Sequence, residues 1–455
     1  MKKERNHGNS RRRTTRIIII GFLSVVLVGT LLLCLPMSSN RGEFTNPLDA
    51  AFTAVSATCV TGLVTLDTAT HWSLFGQIVI LVMIQIGGLG FMTVAVMLSL
   101  IIKRAVTPKE RILVAMSYNI DNYDKTGELM RRIWIGTLCI EVAGATALAT
   151  RFIPLFGVGE GIYKSIFHAV SAFCNAGFDI LGIFSGEFSS VSYFAEDPVV
   201  NITLMFLIVV GGIGFIVWND MVNFIVKKKR ISVYSKFVLM ITLILIVVGT
   251  LIFALLEWNN PETIGGMSVG NKIMASAFQS VTLRTAGFAA IDQAGLTEPS
   301  QLISVILMFI GGASGSTAGG VKVGTVGVIV CTIWATALGK RDAVVFKRRI
   351  SSASFMRAVT IIAIQLVLVL IGTMVVAESM ECSAIIALFE ASSASATVGI
   401  SLGITPELNI ISKLVIMALM FLGRVGILTV TYGVMVNLSE SNSVISYPDA
   451  NMLIG

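Results

Sequence analysis

The chain has 455 residues, of which 55% are hydrophobic and only 13% charged, about half the charged share of an ordinary soluble domain. That composition excludes a disordered chain, a coiled coil and a soluble globule, and reads as one membrane body. A net charge of +7 would suit a nucleic-acid partner, but its distribution points to a membrane surface and to no nucleic acid.

Eight stretches are apolar enough to span a bilayer: roughly 17–38, 73–102, 133–153, 199–226, 237–256, 301–337, 358–377 and 410–437. Each approaches or exceeds the ~20 residues a hydrocarbon core requires. The first has too long a core for a cleaved signal peptide and lacks a small-x-small site leading into a soluble body. Segments 1–16, 103–132, 227–236 and 340–357 hold 25 of the 33 Lys and Arg. The positive-inside rule places them in the cytoplasm, and eight crossings return the C-terminus to the same side of the cell membrane. Six Cys without a CxxC spacing read as buried small hydrophobes rather than a disulfide framework or zinc site. Three scattered His cannot form a metal cluster.

Between the members of each span pair stands a short amphipathic stretch followed by small residues and a glycine. The four read Thr58-Cys-Val-Thr-Gly62, Phe173-Cys-Asn-Ala-Gly177, Leu283-Arg-Thr-Ala-Gly287 and Ser395-Ala-Thr-Val-Gly399, with glycines 115, 110 and 112 residues apart. Each is followed by a second glycine cluster within the next span: Gly87-Gly88-Leu89-Gly90, Gly211-Gly212-Ile213-Gly214, Gly311-Gly312-Ala313-Ser314-Gly315 and Gly423-Arg424-Val425-Gly426. Two signals in one order, four times, define an internal repeat. The division is a basic N-terminus 1–16, repeats 17–102, 133–226, 237–337 and 358–437, and a tail 438–455.

The stretches before the loop glycines read as half-helices. The first opens Asn46-Pro47-Leu48-Asp49, a cap, a proline at the first helical position and an acid in the first turn. Its body, Ala50 to Thr58, is too short to span, so it re-enters and stops near mid-membrane. Non-helical backbone there must be buried or line water. Four helix C-termini at the centre present partial negative charge, which favours a cation and repels an anion. Val60-Thr61, Asn175-Ala176, Thr285-Ala286 and Thr397-Val398 precede the glycines. They are small or uncharged, and glycine angles let successive carbonyls turn to one axis. With no carboxylate in any loop, an acidic ring for divalent ions is disfavoured. Rings of carbonyls replacing a hydration shell are how potassium filters work.

These residues resemble the membrane subunit of Ktr-type potassium uptake systems, in the superfamily of Trk and plant HKT transporters. The resemblance covers the chain from about residue 16 and rests on Val60-Thr-Gly62, Asn175-Ala-Gly177, Arg284-Thr-Ala-Gly287, Thr397-Val-Gly399, the stretch 311–320, Arg424 and Tyr447-Pro448-Asp449. Because the first repeat begins at once, Ktr is favoured over Trk. The resemblance implies an all-α polytopic membrane protein. Its four M1–P–M2 repeats (eight transmembrane helices and four re-entrant pore helices) would surround a pseudo-fourfold pore. It further implies a homodimer, a separate cytosolic nucleotide-binding ring of RCK fold that carries ATP or ADP, and no cofactor in this chain. Potassium would be held by the backbone carbonyls of the four loops. Gly62, where sodium-favouring plant relatives carry Ser, points to potassium, with sodium dependence left open.

Other residues are conspicuous. The stretch Gly311, Gly312, Gly315, Ser316, Thr317, Gly319, Gly320 interrupts a span and fails the Walker A pattern, because Lys322 falls one place late. A packing kink is the plain reading; a flexible gate below the filter is the functional one, with Lys322 projecting to the cytoplasmic vestibule. Arg424 stands in mid-span, where a charge costs at least ~2.5–3.5 kcal/mol on insertion scales. It is either a packing ion pair or a pore residue that holds the 311–320 loop and repels cations. Arg284 is expected to support its loop from behind, pairing with Glu390. Glu141, inside the third span, lacks an obvious partner by sequence, and structural pairing and a functional role are both open to it. His168 reads as packed, and Cys59 and Cys174 matter for their carbonyls. The basic loops either set topology against anionic lipid or dock a partner. A symporter built from inverted repeats is the alternative, as is a less selective sodium/potassium transporter. An enzyme is disfavoured because no catalytic constellation stands in the spans.

Overall fold

A computed structural model describes residues 2–90, Thr93 and 126–426. The described chain is helical apart from a hairpin of two-residue strands, and its helices fall into four groups. The first group is α1 (Lys2–Cys34), α2 (Pro47–Cys59) and α3 (Leu74–Leu89). The second is α4 (Thr126–Phe156), α5 (Val158–Phe173) and the pair α6 (Pro198–Gly212) and α7 (Phe215–Lys227). The third is α8 (Val233–Glu257), α9 (Val269–Thr282) and the pair α10 (Glu298–Phe309) and α11 (Val323–Ala337). After the hairpin of β1 (Val344–Val345) and β2 (Arg348–Arg349), the fourth is α12 (Ser352–Met380), α13 (Ala384–Ala396) and α14 (Ile410–Val425).

The opening helix of each group is long and apolar enough to cross a membrane. The second helices are not: 13 to 16 residues reach only about 20–24 Å at the α-helical rise. Their starts are fixed locally. Asn46 Oδ1 accepts from Leu48 N at 2.9 Å ahead of Pro47, as the cap sequence predicts, and Ser268 caps α9 through Asn271 N.

The third position of each group departs from expectation. Spans 73–102, 199–226, 301–337 and 410–437 read as continuous apart from the 311–320 interruption. In the structure α3 stops at Leu89 and α14 at Val425, while α6 and α7 are bent by 99° at the Ile213-Gly214 break. Hydropathy does not register these breaks. They fall at the glycine clusters, where each glycine weakens a helix by ~1 kcal/mol relative to alanine. Residues 91–92 and 94–102 of the second expected span, most of the loop 103–132, residues 427–437 of the last span, and the tail with Tyr447-Pro448-Asp449 lie outside the described residues.

The groups close into a circle. α3 packs on α5, α6 on α9, α10 on α13, and α14 on α2, so the last helix of each group meets the short helix of the next. An ion pair between Lys413 Nζ on α14 and Asp49 Oδ1 on α2, at 2.6 Å with both side chains about 15% exposed, joins the fourth group to the first. The short helices are the most buried elements; Phe52, Phe167, Phe278 and Phe389, one on each, are fully enclosed.

Candidate functional site

Each short helix ends within a few residues of its loop glycine, and the four loops share one backbone device. The residue two places before the glycine is left-handed: Val60 at φ 54°, Asn175 at 58°, Thr285 at 68° and Thr397 at 54°. The glycines follow at φ 94°, 70°, 83° and 95°. Left-handed angles at non-glycine residues cost of order 1–3 kcal/mol each and persist only where the surroundings impose them; for β-branched Val60, Thr285 and Thr397 they are unusual. Here the short helices impose them. Thr61 N, Ala176 N and Val398 N each donate to a carbonyl five residues back at 2.8 Å, and Ala286 N donates to Thr282 O at 2.9 Å. The hydroxyls of Ser56 and Ser393 accept from Gly62 N and Gly399 N at 3.1 Å. These bonds use the loop N–H groups, and among the described residues no donor is seen on the carbonyls of Thr61, Ala176, Ala286 and Val398.

The four loops meet. A Cβ on Gly62 would lie 2.5 Å from Ala176 O; one on Gly177, 2.9 Å from Ala286 O; one on Gly287, 2.5 Å from Val398 O. A Cβ on Gly399 would collide with Thr61 O. Each glycine therefore abuts the carbonyl that precedes the next glycine, and the sequence 62, 177, 287, 399 returns to 62 as a closed ring. The arrangement concentrates carbonyl dipoles with no carboxylate among them, which suits a weakly hydrated monovalent cation.

The residues before Gly177 and Gly399 face the 311–320 loop. Its ends are clasped by Gly311 N to Val321 O (2.9 Å) and Val323 N to Gly312 O (3.0 Å). Its middle is sewn to the α6–α7 break by Ala313 N to Gly212 O (2.9 Å), Thr317 N to Gly211 O (3.3 Å) and Phe215 N to Gly315 O (2.9 Å). Thr317 Oγ1 lies 3.1 Å from both Phe173 O and the Asn175 amide, so it touches the second loop directly. Gly319 and Gly320 abut Ala396 and Thr397 of the fourth loop. Arg424 donates from Nη1 to Thr317 O and from Nη2 to Gly87 O and, at 3.0 Å, Gly88 O. It thus ties the 311–320 loop to the C-terminal carbonyls of α3, where a cation complements the helix end.

Two expectations need correction. Lys322 does not project into a vestibule: its Nζ turns back onto Ala318 O (2.6 Å) and Gly319 O (3.3 Å), because the loop's own carbonyls are the nearest acceptors. Arg284 and Glu390 do not pair. Arg284 Nη2 reaches Thr242 Oγ1 on α8 at 3.4 Å. The Glu390 carboxylate instead accepts from Ser401 Oγ at 2.8 Å and from Thr405 Oγ1, both in the segment just beyond Gly399. Glu141 does have a partner, Gln85, whose Nε2 lies 3.1 Å from Oε1. His168 is packed as expected, with Nδ1 donating to Lys164 O at 2.7 Å and phenylalanine rings around it. Cys59 and Cys174 are buried free thiols. No cluster of His, Cys, Asp and Glu suited to a metal ion occurs among the described residues.

Residues after the glycines line a cavity of about 420 Å³ whose walls include all four glycines together with Asp67, Asp179 and Asp292. Asp67 is committed to structure, accepting from Ala69 N, Thr70 N and Phe188 N at 2.8–3.0 Å. Asp179, two residues past Gly177, is the acid that sequence reading missed; its position just after a loop glycine was the available signal. Desolvation, then the nearby Asp67 charge, push its carboxyl up to about 7, against the opposing pull of the Leu181 N–H and Lys164.

A family model for TrkH, described as a cation transport protein, matches residues 2–445. Potassium/sodium uptake protein NtpJ of Enterococcus hirae is 39% identical over 98% of both chains. Ktr system potassium uptake protein B of Bacillus subtilis is 37% identical over 97% of this chain and 96% of its own. The crystal structure of the potassium transporter TrkH from Vibrio parahaemolyticus superposes with a TM-score of 0.71 at 18% identity, covering 90% of this chain and 83% of that one; at that identity the likeness is one of fold.

The cavity acids predict a pH dependence. With its carboxyl pushed up to about 7, Asp179 gains negative charge on the cavity side as pH rises through the neutral range. Rubidium entry from that side should rise roughly twofold to fivefold between pH 6 and pH 8, as expected for local electrostatic attraction. Asp179→Asn should lower entry at pH 8 and flatten the profile. An unchanged profile in that variant, measured as isotope flux into proteoliposomes, would remove Asp179 from the entry path.

Proposed function

The chain belongs to the TrkH family of cation transport proteins, and from that membership and the glycine ring we propose that it carries potassium into the cell through the ring. The observation that carries this reading is the closed cyclic contact of Gly62, Gly177, Gly287 and Gly399 with the carbonyls of Ala176, Ala286, Val398 and Thr61. Four re-entrant pore helices, α2, α5, α9 and α13, direct their C-terminal carbonyls at the ring from four sides. The selectivity filter comprises Val60-Thr61-Gly62, Asn175-Ala176-Gly177, Thr285-Ala286-Gly287 and Thr397-Val398-Gly399. Potassium sheds its water to these carbonyls. Relatives named as potassium uptake proteins at 35–37% identity support the ion. The name of the Enterococcus hirae relative includes sodium, so a filter that admits both ions is the second reading.

The 311–320 loop is the gate on the cytoplasmic side. It blocks the path below the ring, held by Arg424 and Lys322, and its Thr317 and Gly319 touch the lower residues of two filter loops. Arg284 and Glu390 support the filter from outside it, one toward α8 and the other toward the segment beyond Gly399. The positive-inside rule puts both termini and the loop 340–357 in the cytoplasm. Relatives whose names place them in a Ktr system support a further subunit. The proposed complex is a homodimer on a cytosolic nucleotide-binding ring, and the loop 103–132 is by itself too short to fold such a domain.

Uptake by cells lacking other potassium systems tests this reading. The wild-type chain should restore growth at low potassium and favour potassium over sodium. Gly62→Ser, which adds a side chain to one quarter of the ring, should raise sodium uptake relative to potassium. An unchanged ratio in that variant would place Gly62 outside the filter.

Arg424→Ala tests the gate separately. Loss of the contacts to Thr317, Gly87 and Gly88 should free the loop and raise flux several-fold, in keeping with the loss of charge-assisted hydrogen bonds. Lower flux at an unchanged amount of folded protein in the membrane would reverse the assignment of Arg424 as a restraint.

A further inference from the structure

Two buried glutamines link the third short helix to the wall of the cavity beyond the ring. Gln279 on α9 is 1% exposed, and Gln293, in the segment past Gly287, is 5% exposed. Gln279 Nε2 donates to Gln293 Oε1 at 2.7 Å, and Gln293 Nε2 donates back to Gln279 Oε1 at 3.1 Å. Gln293 Nε2 also donates to Ile291 O at 2.9 Å, which sets the direction of both amides. Amides do not titrate, so the link holds whatever the protonation of its surroundings. Ile291, Asp292 and Gln293 themselves line the cavity.

Gln279 lies three residues before Thr282, on the same face of α9. Thr282 Oγ1 donates to Phe288 O at 2.7 Å. One helix face therefore grips the chain directly after Gly287 and again six residues after it. In the first and fourth loops a serine hydroxyl, on Ser56 or Ser393, accepts from the glycine N–H itself. In the third loop the corresponding hydroxyl, on Thr282, is turned to the outer side. The left-handed backbone at Thr285 and Gly287 is thus held on one side by the bond from Ala286 N to Thr282 O and on the other by Thr282 and Gln279.

The fourth group repeats the device with other residues. Glu390 lies three residues before Ser393, and Thr405 lies six residues after Gly399, the same two positions as Gln279 and Gln293. Glu390 accepts from Thr405 Oγ1. The first and second groups are built differently. Thr53 and His168 occupy the helix position there, and they turn to Asp49 O and Lys164 O on their own helices. The outer position of the second group is Ile183, 71% exposed and pointing away from any such link. The cross-link therefore belongs to two groups and is not a requirement of the fourfold packing.

We infer that Gln279 and Gln293 are positioning residues for selectivity, clamping the third loop from its outer side so that the ring resists shrinking. The inference rests on the filter reading above. Where a ring of carbonyls selects by size, a loop free at its outer end can follow a smaller ion inward, and a loop held at both ends cannot. The test is the potassium-to-sodium uptake ratio of the full chain in proteoliposomes. Gln279→Leu and Gln293→Leu should each lower the ratio roughly threefold to tenfold, the scale of one buried hydrogen bond. Gln293→Asn keeps the amide but shortens the side chain, and should lower the ratio as well. The double Leu variant removes the unpartnered amide that each single leaves behind, so it should recover folded protein in the membrane. Its ratio should nonetheless stay as low as that of the more affected single, because both substitutions break one link. Ile183→Ala, at the same outer position without a link, should keep the wild-type ratio.

A wild-type ratio in either Leu single overturns the inference. So does a double variant whose ratio returns to wild type along with its folded amount, since packing alone would then hold the loop. An equal loss of selectivity in Ile183→Ala overturns it too. Should the Leu singles fail to fold, Gln293→Asn and the double variant read the same link, and wild-type ratios in those two also overturn it. A wild-type chain that does not discriminate between the ions defeats the filter reading itself, a result distinct from these.

Discussion

Within a bilayer, every backbone N–H and C=O that leaves a helix needs a partner inside the protein or a path of water. This chain leaves its helices repeatedly at its glycine clusters, and the breaks are arranged to serve one another. The carbonyls freed where α6 gives way to α7, on Gly211 and Gly212, receive N–H groups from Thr317 and Ala313. Phe215 N, freed on the other side, donates to Gly315 O. Neither interruption would be tolerable alone.

Two cations complete the same task. Arg424 satisfies carbonyls on Thr317, Gly87 and Gly88, and Lys322 satisfies those on Ala318 and Gly319. A guanidinium with several donors is suited to bridging separate acceptors, and a compact ammonium to closing one turn. Among the described residues, no donor is seen on the ring carbonyls of Thr61, Ala176, Ala286 and Val398. Fourfold order in the helices and asymmetry in the linkers therefore coexist for a reason. The ring is built from four alike loops, whereas the 311–320 loop is a single stretch that Arg424 joins to the end of α3.

Much of this was legible in the residues. The Asn46 cap, the short second helices and the four loop glycines followed from spacing and turn chemistry, because those are local signals. The helix ends at Leu89 and Val425 and the bend at Gly214 were not, since hydropathy continues through them and the groups that serve the freed backbone lie 100 or more residues away. Left-handed Val60, Thr285 and Thr397 defy local preference outright, and only the enclosing short helices explain them. The Arg284–Glu390 pairing failed because opposite charge in a sequence carries no information about which hydroxyls stand nearer. Asp179 and the Gln85 link were missed for a related reason: a single acid or amide acquires meaning only from neighbours that the fold supplies.

The central claim is that the four loop carbonyls hold a dehydrated monovalent cation on the axis of the glycine ring. Anomalous diffraction from crystals grown in rubidium or thallium addresses it most directly. A peak on the ring axis, within coordinating distance of the carbonyls of Thr61, Ala176, Ala286 and Val398, is the predicted result. A structure with the ring intact and heavy-ion density confined to the acidic cavity or to the 311–320 loop would contradict it.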